Sequence, residues 1–484
     1  MTATSGDGFF GRREVLAALV AHRDAVARSG SGRIVAVRGR RQVGKSTVVE
    51  RFVETSGTPY AFVTGIFQAS PAQQLADATV ALQESRHPFP DAELLTRSPA
   101  ATWRDWFGRL AIAARSGPVI AVLDEFPWIA AGEPTLEGEL QSQWDRTLER
   151  LPVLLVLVGS DVAMMDALAS HGRPLFGRLS PLVVPAFTPA DVADALPGRD
   201  PVEVIDAYLV TGGYPRLVTD LASAGTSTTD HVAHSLQDEL SPLVTTGRIS
   251  LDAEFPEPQF AYQVLSAIGA SDTANPGFKD LLGSVGDAAE RKRVETATTR
   301  ALATLTGTKR LIEREAPAWA GPGSRLRRYR VTDPYLRFWF RYVERNVDRI
   351  ARGRSDLAVA AFTRDWETWR GQSVEPVVRD ALRRLARDDA RLPDVEDVQA
   401  WWVRTNEVEV DVVARTATRT ALVGTVKWRT RGAVTSAEVE QLRRHREHVP
   451  RSDGALLAAI SPAGGTPPGA DVSFSAADLI TAWR

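Results

Sequence analysis

A phosphate-binding loop is the sequence feature that most constrains this chain. The sequence GRRQVGKST fits the pattern G-x-x-x-x-G-K-[S/T] and follows the apolar run 34–37, which predicts a buried strand entering the loop. Backbone N–H groups of such a loop point at phosphate oxygens, its lysine reaches the β- and γ-phosphates, and its hydroxyl can bind Mg²⁺. We therefore expect a nucleoside triphosphate to bind at Gly39, Arg40, Arg41, Gln42, Val43, Gly44, Lys45, Ser46 and Thr47.

Length and composition indicate a multidomain protein without disulfides. The 484 residues suggest about three domains of ordinary size. Zero cysteines exclude disulfide bonds and thiolate metal sites. No apolar run approaches the length of a membrane span, and no apolar secretory segment follows the N-terminus. We therefore expect a cytoplasmic protein that has no membrane partner.

Basic residues cluster in the middle of the chain. The formal net charge of −2, from 58 Lys and Arg against 60 Asp and Glu, hides this cluster. Any affinity for nucleic acid must therefore be local. The clustered residues are Arg291, Lys292, Arg293, Arg300, Lys309, Arg310, Arg314, Arg325, Arg327, Arg328 and Arg330.

A second apolar run ends in two acidic residues. The sequence VIAVL at 119–123 precedes Asp124 and Glu125, a pattern typical of a buried parallel strand with carboxylates at its end. We expect Asp124, together with Ser46, to hold Mg²⁺, and Glu125 to act as the general base on the attacking water. The alternative is that both acids only solvate the strand end and cap the next helix.

Two further residues are candidates for contact with the γ-phosphate. Ser160 follows the apolar run 153–159 and offers a hydroxyl that can sense the γ-phosphate or hold the lytic water. Arg178 offers a guanidinium that can neutralise charge on the transferring phosphoryl group, and an ordinary surface arginine is an equally good interpretation. No Asn-Lys-x-Asp sequence favours guanine, so we expect ATP with Mg²⁺, and its hydrolysis.

The first half of the chain resembles a known group of ATPases. Four sequences carry the resemblance: FGRRE at 10–14, GRR at 39–41, LDEF at 123–126 and TGGYP at 211–215. Together they resemble the archaeal and bacterial ATPase family of the AAA+/STAND grouping. Members carry a helical lid after the nucleotide core, so the resemblance implies that residues 212–215 lie in that lid near the nucleotide.

The basic middle of the chain predicts a winged helix. Helical periodicity appears at 260–268, 278–282 and 294–305, and two strands are predicted at 310–315 and 328–332. Three helices and a hairpin of this kind place a helix in the major groove of DNA and a wing on its backbone. The alternatives are a winged helix that binds protein and a basic face that only meets solvent.

The C-terminal part resembles a second family. The sequence VTDP at 331–334, followed by YLRFWF at 335–340, resembles the uncharacterised C-terminal region fused to such ATPases. That region is similar to restriction-endonuclease-like folds. The resemblance implies an aspartate on one strand, Glu-x-Lys on the next strand and a glutamate on a helix. Two carboxylates of this pattern bind Mg²⁺, and its lysine orients the water.

The residues expected for such a nuclease are only partly present. Glu409 and Asp411 share one face of a predicted strand, because side chains alternate along it. Lys427 fits the second strand, but Thr425 stands where the glutamate is expected, and a hydroxyl brings no charge to Mg²⁺. Glu375 matches the helix glutamate. We therefore expect a degenerate nuclease site that is retained for binding and does not cleave DNA.

Two other stretches have simpler interpretations. Residues 379–391 mix acids and bases and are predicted to form an amphipathic helix with a solvated face. Four tryptophans, Trp366, Trp369, Trp401 and Trp402, are predicted to belong to the core.

The predicted fold class is α/β with four parts. We expect a P-loop NTPase core at 1–190, a helical lid at 191–250, a winged helix at 251–333 and a restriction-endonuclease-like α/β domain, after a helical linker, at 334–484.

Three functions are compatible with this organisation. The first is an ATP-driven switch that acts on DNA through the winged helix and the degenerate nuclease-like domain. The second is a scaffold that holds ATP or ADP, turns over slowly and recruits a protein partner. The third is an active Mg²⁺-dependent DNA nuclease. A second copy of the chain is a further partner that the sequence leaves open.

Overall fold

The computed structural model describes residues 9–160, 162–255, 260–271, 276–282, 288–321, 323–405, 407–430 and 432–484. The chain divides into two compact units. One is Arg12–Ala186, and the other combines residues 9–11 with Phe187–Arg484. Within the described residues, the helices are too short or too polar to cross a membrane.

The unit Arg12–Ala186 is built on a five-stranded parallel sheet. Its strands are β1 Arg33–Arg38, β2 Tyr60–Thr64, β3 Val119–Asp124, β4 Val153–Gly159 and β5 Leu179–Val183. They lie in the order β2-β3-β4-β1-β5, and every neighbouring pair is parallel. The ends of β1, β3 and β4 therefore meet at one edge of the sheet, where the phosphate loop and the two acidic residues lie.

Eight α-helices cover this sheet. They are α1 Arg13–Ser29, α2 Lys45–Thr55, α3 Pro71–Val80, α4 Ala92–Leu95, α5 Trp103–Ala113, α6 Phe126–Gly132, α7 Leu136–Arg146 and α8 Val162–Leu168. Side-chain caps start two of them, since Ser70 accepts from Gln73 N and Thr102 accepts from Asp105 N. Helix α5 buries Trp106 against the same core as the central strands β3 and β4.

The second unit begins with five helices. They are α9 Pro189–Ala195, α10 Pro201–Thr211, α11 Pro215–Ala224, α12 Thr228–Ser235 and α13 Pro242–Glu254. Four of the five begin with proline, whose fixed φ suits the first helical position. The Gly-Gly-Tyr-Pro sequence forms the turn between α10 and α11. There Gly212 has φ 59° and the Tyr214 hydroxyl donates to Asp333 at 2.6 Å.

Three more helices and a β-hairpin follow. They are α14 Phe260–Gly269, α15 Phe278–Leu282 and α16 Ala288–Ala303, then β6 Ile312–Glu315 and β7 Arg328–Val331. The two strands are antiparallel, with Ile312 opposite Val331. The three helices and two strands predicted here are confirmed, although the third helix starts earlier than its periodicity indicated and continues into a π-helical turn, Thr304–Thr308.

A second five-stranded sheet completes this unit. Its strands are β8 Asp397–Trp402, β9 Glu409–Arg415, β10 Thr420–Val426, β11 Leu456–Ile460 and β12 Val472–Phe474. The helices around it are α17 Pro334–Phe338, α18 Val347–Ala351, α19 Ser355–Leu385, α20 Ser436–Arg446 and α21 Ala476–Thr481. The strands lie in the order β12-β11-β10-β9-β8, antiparallel from β8 to β10 and parallel from β10 to β12.

The interpretation of residues 379–391 as one helix with a solvated face is wrong. Helix α19 begins at Ser355 and ends at Leu385, and Arg379 is only 4% exposed. Its guanidinium contacts residues of β6 and β9, which periodicity along a single helix does not reveal. In contrast, the four tryptophans predicted to belong to the core are all buried.

A buried ion pair joins helices α10 and α19. Arg370 Nε donates to Asp206 Oδ1 at 2.7 Å, and both side chains are buried. Burial raises the pKa of Asp206 to about 6, although Arg370 opposes this rise. Arg370 also donates to the Thr430 hydroxyl at 3.2 Å. The pair is therefore the polar contact that connects the first helices of this unit to its C-terminal sheet.

We expect Arg370→Gln to destabilise the protein by about 3–5 kcal/mol at neutral pH, because it leaves a buried carboxylate without its cation. Asp206 has a folded-state pKa above its unfolded value of about 3.9. Its contribution to stability is therefore complete below that value and is lost as pH rises through about 6. Without Arg370 the pKa rises further, so the destabilisation should grow with pH across this range. Urea unfolding at pH 4 to 8 measures it.

The matched control is Arg364→Gln, which removes an exposed arginine from the same helix. It should change the free energy of unfolding by less than about 0.5 kcal/mol. Equal effects of the two substitutions, or an Arg370→Gln effect that does not vary with pH, would contradict this account of the pair.

Candidate nucleotide site

The loop between β1 and α2 has the backbone that the sequence pattern requires. Gln42 and Gly44 adopt left-handed conformations, with φ 63° and 80°, just before α2 begins at Lys45. Gly39 packs so closely on Val184 that a Cβ there would clash with the Val184 carbonyl oxygen. The two glycines are therefore needed for the shape of the loop as well as for phosphate access.

Lys45 is the buried cation of this loop. Lys45 is only 6% exposed, and its Nζ donates to the Arg40 carbonyl at 2.9 Å. Burial lowers the pKa of Lys45 to about 8, while the nearby carboxylates of Glu125 and Asp124 raise it and Arg41 lowers it. The ammonium group thus rests on a carbonyl oxygen of its own loop, close to the acids at the end of β3.

Asp124 ends strand β3 and is joined to the loop by Ser46. The residue is 4% exposed, and burial raises its pKa, whereas a hydrogen bond from the Ser46 side chain opposes this rise. Its Oδ1 atom is buried and has no hydrogen-bond partner among the described residues. A free carboxylate oxygen beside a hydroxyl suits Mg²⁺, which prefers oxygen ligands. Ser46 and Asp124 therefore fit the expected metal site.

Glu125 is held by Ser160 at the neighbouring strand end. The Ser160 hydroxyl lies 3.1 Å from Glu125 Oε1 and 2.9 Å from Oε2. Glu125 has φ 48°, and its side chain makes no capping hydrogen bond to α6. The contact between Ser160 and Glu125 was not expected from the sequence, which indicated for Ser160 a contact with the γ-phosphate or with the lytic water.

Arg178 makes a two-point contact with Asp145. Its Nε and Nη2 donate to the two carboxylate oxygens of Asp145 in α7, each at 2.7 Å. Its Nη1 donates to the carbonyls of Pro174 and Phe176 at 3.2 and 3.0 Å. These contacts lower the pKa of Asp145 and raise that of Arg178. They agree with a structural role, and a role of Arg178 in phosphoryl transfer stays a prediction.

Arg12 supports the phosphate loop from behind. The residue has φ 62° and is 4% exposed, and its guanidinium donates to the carbonyls of Val43 in the loop and Pro185 after β5. Sequence reasoning used Arg12 only as part of a family motif and gave it no role. Because its two acceptors are far along the chain, no local pattern could reveal this contact.

The C-terminal sheet brings part of the predicted nuclease site together. Asp411 Oδ2 accepts from Val426 N at 2.8 Å and from the Thr425 hydroxyl at 3.2 Å. Burial raises the pKa of Asp411, and the nearby ammonium group of Lys427 opposes this rise. Thr425 is thus a hydrogen-bond donor to the aspartate at the position where a second carboxylate was expected.

An arginine lies among the acids of this cluster. Arg379 Nη1 lies 3.1 Å from the Asp411 carbonyl oxygen and 3.5 Å from Glu375 Oε2, and Nη2 lies 3.5 Å from Glu315 Oε1. Burial and the charge of Asp411 raise the pKa of Glu375. A buried guanidinium therefore lies between Glu375, Glu315 and the Asp411 backbone, a contact that the sequence did not indicate.

Glu409 is engaged by the hairpin that was predicted to contact DNA. Arg328 donates to its Oε1 at 2.5 Å and its Oε2 at 3.1 Å, and the guanidinium lies 4.3 Å from the Trp402 ring centroid. Arg328 therefore packs on the C-terminal sheet. Within the part of the chain that is described, no group of three or more His, Asp or Glu side chains is placed to hold a metal ion.

Two domain families match parts of this chain. Residues 8–156 match the AAA ATPase domain, and residues 339–442 match a family described as archaeal and bacterial proteins of unknown function. The parallel sheet and the loop confirm the expected α/β core with a phosphate loop, and residues 8–156 are similar to the AAA ATPase domain. The likeness of the C-terminal domain to restriction endonucleases stays a prediction.

Individual relatives are distant. An uncharacterized protein of Methanocaldococcus jannaschii is 22% identical over 423 residues, covering 87% of this chain and 88% of that protein. The structure of a Walker-type ATPase of Pyrococcus abyssi is 14% identical and covers 69% of this chain and 96% of its own, with a TM-score of 0.45. The ORC2 protein of Aeropyrum pernix is 18% identical and covers 73% and 94%, with a TM-score of 0.42.

We expect Arg12→Gln to weaken ATP binding about tenfold, because the Val43 carbonyl loses its charged donor and the loop loses its support, at about 1.5 kcal/mol or more per such bond. Equilibrium titration with a fluorescent ATP analogue measures the affinity. Arg28→Gln, in the last turn of the same helix, is the control and should leave the affinity unchanged. Parent-like affinity of Arg12→Gln would show that the loop keeps its shape without this support.

Proposed function

We propose that this protein is an AAA+-type ATP-hydrolysing switch whose nucleotide state controls an action on DNA. One observation supports the ATPase part: Lys45, the pair of Ser46 and Asp124, and the pair of Glu125 and Ser160 meet at one edge of a parallel sheet. These residues are the cation, metal ligands and base that phosphoryl transfer to water requires.

Each of these residues has a separate task in hydrolysis. Lys45 exchanges its contact with the Arg40 carbonyl for the β- and γ-phosphates. Mg²⁺ held by Ser46 and Asp124 would neutralise charge on the same phosphates. Glu125 takes a proton from the attacking water as its oxygen bonds to the γ-phosphorus, the bond to the β–γ bridging oxygen breaks, and ADP and phosphate leave.

Ser160 links the base to the state of the site. Its hydroxyl donates to Glu125. A γ-phosphate is a stronger competing acceptor, because it carries more negative charge than the carboxylate. When ATP is bound, the Ser160 hydroxyl donates its hydrogen bond to the γ-phosphate in place of Glu125. Glu125 can then orient the attacking water.

We expect Lys45→Ala to lose tight ATP binding, because it removes the buried cation of the loop. Glu125→Gln should bind ATP with parent affinity but lose at least about 10²-fold in turnover, the scale of a positioned base. Nucleotide titration and phosphate release measure the two effects separately. Parent-like turnover by Glu125→Gln would remove Glu125 from the mechanism, and parent-like binding by Lys45→Ala would place the nucleotide elsewhere.

The DNA part of the proposal depends on helices α14 to α16 and the hairpin β6–β7. Arg291, Lys292 and Arg293 are exposed in the first half of α16, the position of a recognition helix in a winged helix. Arg325, before β7, is also exposed. Arg328 is excluded as a phosphate contact because it is bonded to Glu409. The basic surface of α16 thus carries the proposal.

The C-terminal sheet is proposed to assist binding and not to cleave. Two observations support a relationship to nucleases: Asp411 lies near the charge of Lys427, and Glu375, on helix α19, lies near the charge of Asp411. Arg379 and Thr425 occupy the places where a metal ion and a second carboxylate would be needed. We propose that this domain is a nuclease fold without nuclease activity.

We expect the triple variant Arg291→Gln, Lys292→Gln, Arg293→Gln to weaken duplex DNA binding for all sequences. It should flatten the slope of log affinity against log salt by up to about 2.7, since each phosphate contact contributes about 0.9. Fluorescence anisotropy with a labelled duplex at 50–300 mM NaCl measures both. Supercoiled plasmid incubated with the parent and Mg²⁺ should stay intact.

The control removes three exposed arginines elsewhere in the same unit, Arg352, Arg387 and Arg419, each replaced by glutamine. The net charge changes equally, so an equal loss of affinity in both triples would show a general charge effect and no specific surface. If the parent binds no duplex even at low salt, the DNA part of the proposal fails and the protein-recruiting scaffold replaces it.

A further inference from the structure

A cavity of about 600 Å³ lies within the unit Phe187–Arg484. Its walls come from the hairpin β6–β7, helices α17 and α19, and strand β8. This volume is in the range of small-molecule sites, about 300–1,000 Å³. Five arginines line the cavity: Arg314, Arg330, Arg337, Arg379 and Arg383. Four carboxylates also line it, Glu313, Glu315, Asp380 and Asp397, and Asp380 lies 3.5 Å from Arg383. The guanidinium groups outnumber the acids, which leaves a surplus of positive charge for an anion.

Three of these arginines already have carboxylate partners. Arg330 donates to Glu313 at 2.5 Å and to Glu315 at 2.9 Å. Arg379 shares Glu315 at 3.5 Å, and these two arginines lower the pKa of Glu315 to about 2 against the effect of its burial. Arg383 pairs with Asp397 at 3.0 Å. The acids of the cavity wall are thus committed to these neighbours.

Arg337 is different, because it is buried without such a partner. The residue is 7% exposed, and among the described residues its guanidinium makes one hydrogen bond, to the Ser373 carbonyl at 3.4 Å. No carboxylate in the described part of the chain lies within 4 Å of it. Burial lowers its pKa to about 9, and the charges of Arg330 and Arg379 lower it further, while the carboxylates of Glu315 and Glu375 oppose this. The guanidinium therefore feels nearby acids without forming an ion pair with them, and most of its N–H donors can bind an anion.

We propose that this cavity binds the phosphate group of a small organic ligand, with Arg337 as the anchor. A tetrahedral phosphate offers oxygens in several directions and can bind converging guanidinium groups, whereas a carboxylate offers one planar edge. The walls also contain Tyr208, Val377 and Trp402, which suit the organic part of the ligand. The proposal is independent of the ATPase proposal, since the phosphate loop belongs to the other unit.

A phosphate in this cavity would bind arginines from three different secondary-structure elements. Arg330 belongs to β7, Arg337 to α17 and Arg379 to α19. The same hairpin holds the degenerate nuclease site through Arg328 and Glu409. Ligand binding would therefore stabilise the packing of the hairpin on the C-terminal sheet.

The test uses the full chain carrying Lys45→Ala, so that the phosphate loop contributes nothing to the signal. Thermal unfolding is followed with 0–20 mM inorganic phosphate, at an ionic strength kept constant with NaCl. We expect a saturable rise of the unfolding midpoint by about 3 °C. Adding Arg337→Gln should abolish the rise, and adding Arg352→Gln, an exposed arginine, should leave it unchanged.

A second measurement keeps the proposal testable if Arg337→Gln does not fold. Line broadening of the phosphate ³¹P signal by the Lys45→Ala protein should saturate, and Arg337→Lys, which keeps the charge but loses the planar fork, should weaken binding at least about tenfold. An equal response with Arg337→Gln, an unsaturable response, or an equal saturable shift with sodium acetate would each overturn the proposal.

Discussion

The hydrogen bond from Ser46 to Asp124 is the contact on which the nucleotide site depends. It joins the start of α2, which follows β1, to the end of β3, and β4 lies between these two strands in the sheet. The phosphate loop is therefore placed beside the acidic residues. The parallel order of the strands makes this possible, because all strand ends of one kind lie at one edge. The side chains of Lys45, Glu125 and Ser160 are therefore close to one another at that edge of the sheet.

In the second unit, arginine–carboxylate pairs perform the corresponding role. Arg370 binds Asp206, Arg328 binds Glu409, and Arg379 lies among Glu315, Glu375 and the Asp411 backbone. Each pair joins elements far apart in the chain. A buried ion pair gains little net stability over apolar packing, but it penalises every arrangement that separates its charges. These pairs therefore specify how the helices and the hairpin meet the C-terminal sheet.

Local patterns predicted the strands and the helix around the phosphate loop well, and the contacts of the C-terminal sheet poorly. The phosphate loop, the apolar strand before Asp124 and the helices before the hairpin are each written in consecutive residues, so periodicity and spacing reveal them. Arg12, the contact of Ser160 with Glu125, and the burial of Arg379 depend on residues tens to hundreds of positions away. The basic cluster illustrates the difference, since Arg293 stays exposed whereas Arg328 is bonded to Glu409.

Arg337 is a buried arginine of this unit that has no ion-pair partner among the described residues. It interrupts an apolar sequence, with Tyr335, Leu336, Phe338 and Trp339 all buried around it. A methionine would fill similar volume without the cost of burying a charge, so packing does not explain an arginine at this position. The other buried arginines of this unit each have a carboxylate, and that carboxylate explains them. Arg337 has only the charges of Glu315 and Glu375 nearby and forms an ion pair with neither of them in the described chain, and this difference is the observation that supports an external anion in the cavity beside it.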